Sequence, residues 1–101
     1  MLTATDGQAK MRIETLNIVT GSGTHTFSIE TADTPEQKAR GLMFRRSMQD
    51  NAGMLFPYNP PQEAQMWMRN TYIPLDMIFI RKDGIVHRIE KSTEPFSETV
   101  I

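Results

Sequence analysis

Two turn signals constrain this chain most, because each lies between short runs of residues that favour β-strands. Gly21-Ser22-Gly23 separates the stretches 12–20 and 25–29, which alternate apolar and polar residues. Asp83-Gly84 separates an almost continuous apolar run, 75–80, from an alternating run, 85–90. A glycine-containing turn between two such runs is typical of a β-hairpin. The sequence therefore predicts two hairpins, with the apolar run as a central strand buried on both faces.

A helix start is also present in the sequence. Thr34 can cap the helix, Pro35 suits the first helical position, and Gln37 completes the spacing of a capping box. Gly41 suits the C-terminal end. These residues predict one short helix near residues 35–41.

The spacing of the remaining runs defines the expected fold class. Further short strands are predicted at 53–56 and 65–68. Many short strands with one helix indicate a mainly β (α+β) protein, either a small, partly open β-barrel or a sandwich. A chain of 101 residues suits one domain. We place that domain at 12–101, after a flexible leader at 1–11.

Composition and charge exclude several kinds of function. Eleven basic and twelve acidic residues give a formal net charge of −1, so we expect no nucleic-acid partner. There is no cysteine, which excludes disulfides and thiol catalysis, and with only two histidines we expect no metal or cofactor. No apolar run approaches the roughly 18 residues of a membrane span. The sequence therefore predicts a small soluble domain.

Asp76 is the carboxylate of greatest interest, because it lies at the entry to an apolar strand. A charge in that position needs a partner or an exposed place. We expect it to accept hydrogen bonds from the Asn70-Thr71 turn or to pair with Arg45. The alternative is a carboxylate at a pocket rim that binds a ligand or acts as a general base.

Three further residues have both a structural and a functional interpretation. Arg45 follows the helix, where it can satisfy carbonyls or pair with a carboxylate, and alternatively recognise an anionic group. Together with Lys38, Arg40 and Arg46 it forms the longest basic cluster, which we interpret as a solvated rim, with an anion site as the alternative. Trp67, the only tryptophan, is expected in the core, and an exposed ring would instead suggest stacking on a sugar or base. Asn70 lies in the turn that follows.

Four phrases of the sequence carry a resemblance to a known family: EQKARGLMFR, NAGMLF, MWMRNTYIPLDMIFI and DGIVHRI. In order and at similar spacing they resemble the family called domain of unknown function 192 (DUF192), over residues 27–101. The most specific string contains Trp67, Asn70, Thr71, Pro74, Leu75 and Asp76. The family has no established activity, so the resemblance predicts a fold and not a reaction.

The resemblance also implies a setting. It implies a compact β-rich fold in bacterial proteins that often carry an export signal, which favours a periplasmic or secreted location, with the cytoplasm as the alternative. It further implies that the domain continues beyond Ile101, so that its C-terminal strands are lacking here. Neither the ligand nor the oligomeric state follows from the sequence.

The functional hypothesis is a non-catalytic module that binds a small molecule or a component of the bacterial envelope. Its candidate ligand-binding residues are Arg45, Trp67, Asn70 and Asp76, which combine a guanidinium, an aromatic ring, an amide and a carboxylate. The alternative is a small hydrolase or lyase that uses Asp76 as general base and Arg45 to stabilise negative charge. No nucleophile elbow, phosphate-binding loop or dinucleotide motif is present. An enzyme is therefore the less favoured hypothesis.

Overall fold

The computed structural model describes residues 11–60, 62 and 64–101. All but one residue of the predicted leader lie outside this part of the chain, so the leader stays a prediction. The described strands and helix fall into two compact units, residues 11–41 with 48–57 and residues 42–47 with 58–101. Within the described residues there are five strands in two open sheets and one short helix. The prediction of a mainly β fold with one short helix is confirmed, and the described strands form no closed barrel.

The first unit is built on a long hairpin. Strand β1 spans Arg12–Thr20 and strand β2 spans Gly23–Thr31, and they pair antiparallel in continuous register, with Leu16 opposite Phe27. Strand β3, Ala52–Leu55, then pairs with β2 in parallel, so the sheet order is β1-β2-β3. The hairpin prediction is confirmed because its turn signal is local, with Gly23 in the positive-φ conformation that glycine adopts readily.

Helix α1, Pro35–Arg40, starts as predicted. The Thr34 hydroxyl accepts from the Gln37 backbone N–H at 3.0 Å, and the Gln37 side-chain oxygen accepts from the Thr34 N–H at 3.1 Å. This capping box satisfies donors that a short helix leaves unpaired. Gly41 ends the helix at φ 51°, where an added Cβ would meet the Phe56 ring at 3.3 Å.

Removal of the cap is expected to cost measurable stability. In Thr34→Ala the Gln37 N–H loses its acceptor, so the free energy of unfolding should fall by about 1 kcal/mol. Urea denaturation measures the difference. Thr99→Ala, the same change at an exposed residue outside the helix and strands, should stay within about 0.5 kcal/mol of the parent chain. Equal losses in the two variants would contradict a capping role.

An ion pair fastens the start of β1 to the loop after β2. The Arg12 guanidinium donates to both carboxylate oxygens of Asp33, with N–O distances of 3.0 and 2.9 Å. This hydrogen bonding, and then the charge of Arg12, hold the pKa of Asp33 below its usual value. The associated stability is therefore present above the unfolded-state pKa and is lost as the pH falls through the lower folded-state pKa. Both groups are exposed, so salt weakens the pair.

The second unit contains the second predicted hairpin. Strand β4, Met77–Ile80, pairs antiparallel with β5, Val86–Glu90, with Ile78 opposite Ile89 and a register irregularity between Phe79 and Ile80. The prediction that β4 is buried on both faces is wrong. Its residues are half-buried and Ile80 is exposed, because β4 has only one strand neighbour among the described residues.

The core of the second unit lies outside its strands. Met68 is fully buried and Thr71 and Thr93 are almost so. The Thr93 hydroxyl lies 2.9 Å from the Leu75 carbonyl oxygen and 3.2 Å from the Met68 sulfur. A buried threonine hydroxyl bonded to a loop carbonyl satisfies both groups at once. Leu75 and Thr93 are thereby fixed beside the buried methionine.

The predicted strand at 65–68 is not a strand. The segment 66–71 instead bonds irregularly to 96–101, through Met68 N–H to Ser97 O at 2.8 Å, Phe96 N–H to Thr71 O at 3.2 Å and Ile101 N–H to Met66 O at 2.8 Å. These bonds do not keep one register, so no β-ladder forms. The expected alternation survives, since Met68 is buried and Trp67 is exposed.

Candidate functional site

Three aromatic side chains of the second unit meet at its surface: Phe44, Tyr72 and Phe96, called here the aromatic cluster. The Phe44 and Tyr72 ring centroids lie 6.4 Å apart in an edge-to-face arrangement, and those of Tyr72 and Phe96 lie 5.2 Å apart at a tilt of 53°. These are favourable aromatic geometries. Phe44 is nevertheless 48% exposed and Phe96 56% exposed. The cluster therefore presents two large apolar surfaces to solvent, each belonging to a ring that contacts Tyr72.

Both phenylalanines have left-handed backbone conformations. Phe44 has φ 67° and Phe96 has φ 65°. For a bulky residue this conformation costs about 1–2 kcal/mol and is uncommon. Strained backbone of this kind persists only where surrounding bonds hold it, and it concentrates at functional sites. Here the two strained residues are also residues whose aromatic rings are exposed.

Two consecutive carbonyls hold the strained residues. The Phe44 N–H donates to the Asn70 carbonyl at 2.9 Å, and the Phe96 N–H donates to the Thr71 carbonyl at 3.2 Å. Asn70 itself has φ 54°, a conformation that asparagine tolerates better than most residues. Thr71 is buried, and its hydroxyl donates to the Arg69 carbonyl at 3.0 Å. The turn at Asn70-Thr71 is thus the framework of the aromatic cluster.

Besides the half-buried Arg88, which lies over the Phe79 ring, two exposed arginines lie over aromatic rings in this unit. The Arg46 guanidinium carbon is 5.4 Å from the Tyr72 ring centroid. The Arg69 guanidinium carbon is 5.5 Å from the Trp67 ring centroid. Both distances are typical of cation–π contacts. Trp67 is 41% exposed, so the expectation of a core tryptophan is wrong, because the neighbouring Met68 takes the buried position.

Asp76 has a partner other than the expected ones. Its Oδ1 accepts a hydrogen bond from the Ser92 backbone N–H at 2.9 Å, rather than from the Asn70-Thr71 turn. Ser92 also has a positive φ, 50°, and the next residue, Thr93, donates its N–H to Leu75 O at 2.8 Å. Asp76 therefore fastens the start of the segment that carries Phe96. The side chain is exposed and not buried beside the strand.

The remaining predicted residues flank the cluster. Arg45 is half-buried between Phe44 and Arg46, with its backbone N–H 3.4 Å from Leu42 O. Asn70 contributes the backbone that holds Phe44, and Trp67 lies on the same segment. The structure thus places Arg45 and Asn70 on two segments that meet at the cluster. That Arg45, Trp67, Asn70 and Asp76 bind a ligand stays a prediction.

Sequence reasoning missed Phe44, Tyr72 and Phe96, and it interpreted Arg46 first as part of a solvated rim and second as part of an anion site. None of the three aromatic residues lies in a periodic run, and their loops lie far apart in sequence. The available signal was the occurrence of aromatic residues in turn-rich segments, since binding residues often lie on loops. Among the described residues, no three His, Asp or Glu side chains converge as a metal site would require. In the same residues, no helix has the length and apolar character to cross a bilayer.

Comparison with known proteins identifies the family. The model of DUF192, described as an uncharacterized ACR, matches residues 17–101. A solved protein of Sinorhizobium meliloti, described as a "putative transcription regulator", is 42% identical with a TM-score of 0.88, over 94% of this chain and 74% of that chain.

A solved protein of unknown function from Novosphingobium aromaticivorans is 39% identical, also with a TM-score of 0.88, over 100% of this chain and 77% of that one. No curated protein matches the sequence. The chain belongs to the DUF192 family.

Proposed function

We propose that this protein is a non-catalytic binding module of the bacterial envelope, and that it holds a saccharide ligand on the aromatic cluster. The observation that carries the proposal is the pair of exposed phenylalanines that have strained backbone conformations and both contact Tyr72. Strain that exposes apolar rings opposes stability twice, once through the backbone and once through hydration. A ligand that covers the two rings would remove them from water, which provides a functional reason for the strained arrangement.

The chemistry of the cluster favours a ring-bearing ligand. Exposed aromatic faces bind the apolar faces of sugars and bases by stacking, and Phe and Tyr lose few rotamers when they do so. The distance between the Phe44 and Phe96 ring centroids cannot exceed the sum of their centroid distances to the Tyr72 ring. One or two sugar rings cover such a span.

A nucleic-acid ligand is less favoured, even though one solved relative is described as a "putative transcription regulator". Proteins that bind nucleic acid neutralise many phosphates with clustered lysine and arginine. This chain has a formal net charge of −1. Glu94 and Glu98 are exposed close in sequence to Phe96, so the cluster lacks the continuous basic surface on which a phosphate backbone binds.

The proposal also includes a location in the bacterial envelope and a binding role without catalysis. Saccharides are abundant in bacterial envelopes, and both solved relatives come from bacteria. The bond from Ser92 to Asp76 gives that carboxylate a positioning role, which lends no support to Asp76 as general base. Separation of periplasmic and cytoplasmic fractions of the native cells tests the location, and recovery in the cytoplasm alone would contradict it.

The ligand proposal is tested by NMR titration with three soluble saccharides. The probes are cellotriose, its counterpart with all three C6 positions oxidised to carboxylates, and the disaccharide of N-acetylglucosamine and N-acetylmuramic acid. At least one is expected to shift the backbone amides of Phe44, Tyr72 and Phe96 in a saturable way. Phe44→Ala should weaken that binding by about tenfold, or roughly 1.4 kcal/mol.

A matched control removes an exposed apolar side chain elsewhere. Ile13 on β1 is exposed, and Ile13→Ala should leave the affinity unchanged. Absence of saturable shifts at the cluster with all three probes at millimolar concentration would overturn the proposal. Equal losses of affinity in Phe44→Ala and Ile13→Ala would overturn it as well.

A further inference from the structure

We infer that the ligand of the aromatic cluster is an acidic saccharide, and that Arg46 binds its carboxylate; this inference rests on the proposed function. Arg46 is exposed and lies two residues after Phe44 on the same short segment. Its guanidinium carbon is 5.4 Å from the Tyr72 ring centroid. The charge therefore lies beside the surface on which sugar rings would stack.

The state of the guanidinium supports a carboxylate partner. Within the described residues, no carboxylate lies within ion-pair distance of Arg46, whereas Arg12, Arg81 and Arg88 each pair with at least one. A guanidinium over an aromatic ring keeps its in-plane N–H donors for hydrogen bonding, and their fork geometry matches a carboxylate. The contact with Tyr72 also restricts the arginine in advance, which lowers the entropy lost on binding.

A second arginine–aromatic pair in this unit could contact a further ring of an oligosaccharide. Arg69 lies over the exposed Trp67 as Arg46 lies over Tyr72, at nearly the same distance. The two aromatic residues are five positions apart, so their Cα atoms are separated by at most about 18 Å. A ligand with repeating rings and repeating acid groups matches both pairs. An oligosaccharide of uronic acids has that chemistry.

The decisive comparison uses two trisaccharides that differ only at C6. Cellotriose is neutral, and its oxidised counterpart carries three carboxylates on the same ring skeleton. We expect the acidic sugar to bind the parent chain about tenfold more tightly, and its affinity to fall as salt is added. The dissociation constants are measured by NMR titration or calorimetry.

Substitutions assign the acid contact to Arg46. Arg46→Gln should lower the affinity for the acidic sugar by about tenfold and leave the affinity for cellotriose within about twofold. Arg46→Lys should lie between, because a lysine keeps the charge without the fork. Arg81→Gln is the matched control, since Arg81 pairs with Asp83 in the β4–β5 turn, and it should change neither affinity.

The outcomes separate this inference from the proposed function. Equal affinities for the two sugars, with shifts at the cluster, would overturn the acidic ligand and leave saccharide binding in place. Absence of binding by both trisaccharides would overturn this inference, and absence of binding by all three saccharide probes would overturn the proposed function as well. Tighter binding of a thymidine oligonucleotide than of the acidic trisaccharide would overturn the inference in favour of single-stranded nucleic acid. If Arg46→Gln weakened the affinity for both trisaccharides equally, Arg46 would have no selective role in binding the carboxylate, and the inference would be overturned.

Discussion

The Phe96→Gly variant is expected to lose about tenfold or more in affinity for the saccharide, while its free energy of unfolding changes by less than about 1 kcal/mol. Two opposing effects on stability nearly cancel. Relief of the left-handed conformation at φ 65° gains about 1–2 kcal/mol. Loss of the tilted contact with Tyr72 and of the half-buried ring surface costs about 1–2 kcal/mol.

Ser92→Gly is the control for this prediction. Ser92 has φ 50° in the same loop, so glycine relieves similar strain there without removal of a ring, and its N–H still donates to Asp76. The affinity of Ser92→Gly for the saccharide should be unchanged, and its free energy of unfolding should rise slightly. Urea denaturation and saccharide titration on both variants give the result. A loss of more than about 3 kcal/mol in Phe96→Gly would mean that Phe96 is a core residue, and the cluster would not be a ligand surface.

Local signals explain what the sequence could predict. The helix follows from the hydroxyl of Thr34 and the side chain of Gln37, which lie three residues apart and bond each other's backbone. The first hairpin follows from Gly23, whose positive φ closes the turn between two alternating strands. Both features depend on neighbours in the chain, so one sequence suffices to find them.

Non-local pairing explains what the sequence could not predict. The parallel partner of β2 is β3, and its residues 52–55 carry no signal for the direction in which they pair. The run 75–80 reads as a buried central strand, yet its burial depends on how many strands flank it. An apolar run indicates that a strand forms, but it does not determine how many strands pair with it.

The candidate site was only partly predictable for the same reason. The sequence predicts correctly that Asn70 lies in a turn, but the function of that turn depends on Phe44 and Phe96, 26 positions away on each side. The sequence also predicts that the Asp76 carboxylate needs a partner, but it does not identify Ser92, which lies 16 positions further along the chain. Nothing in the residue type marks a phenylalanine that will have positive φ, because the bonds that impose it come from other segments.

Met68→Ala is expected to have the largest effect on stability, a loss of about 2–5 kcal/mol in the free energy of unfolding. The side chain is fully buried, and its sulfur is 3.2 Å from the Thr93 hydroxyl. Truncation removes buried apolar surface and leaves a cavity beside that threonine. Since domains of this size are stable by only about 5–15 kcal/mol, the variant should unfold at a much lower urea concentration.

Two variants separate the cavity from the methionine itself. Met68→Leu nearly conserves volume and should cost less than about 1.5 kcal/mol. Met66→Ala truncates a neighbouring methionine that is only half-buried, and should cost less than Met68→Ala. Losses of the same size in Met66→Ala and Met68→Ala would contradict a core centred on Met68. Because the Met68 N–H donates to Ser97 next to Phe96, the cavity variant should also shift the Phe96 amide signal. The buried methionine would then support the segment that presents an exposed ring.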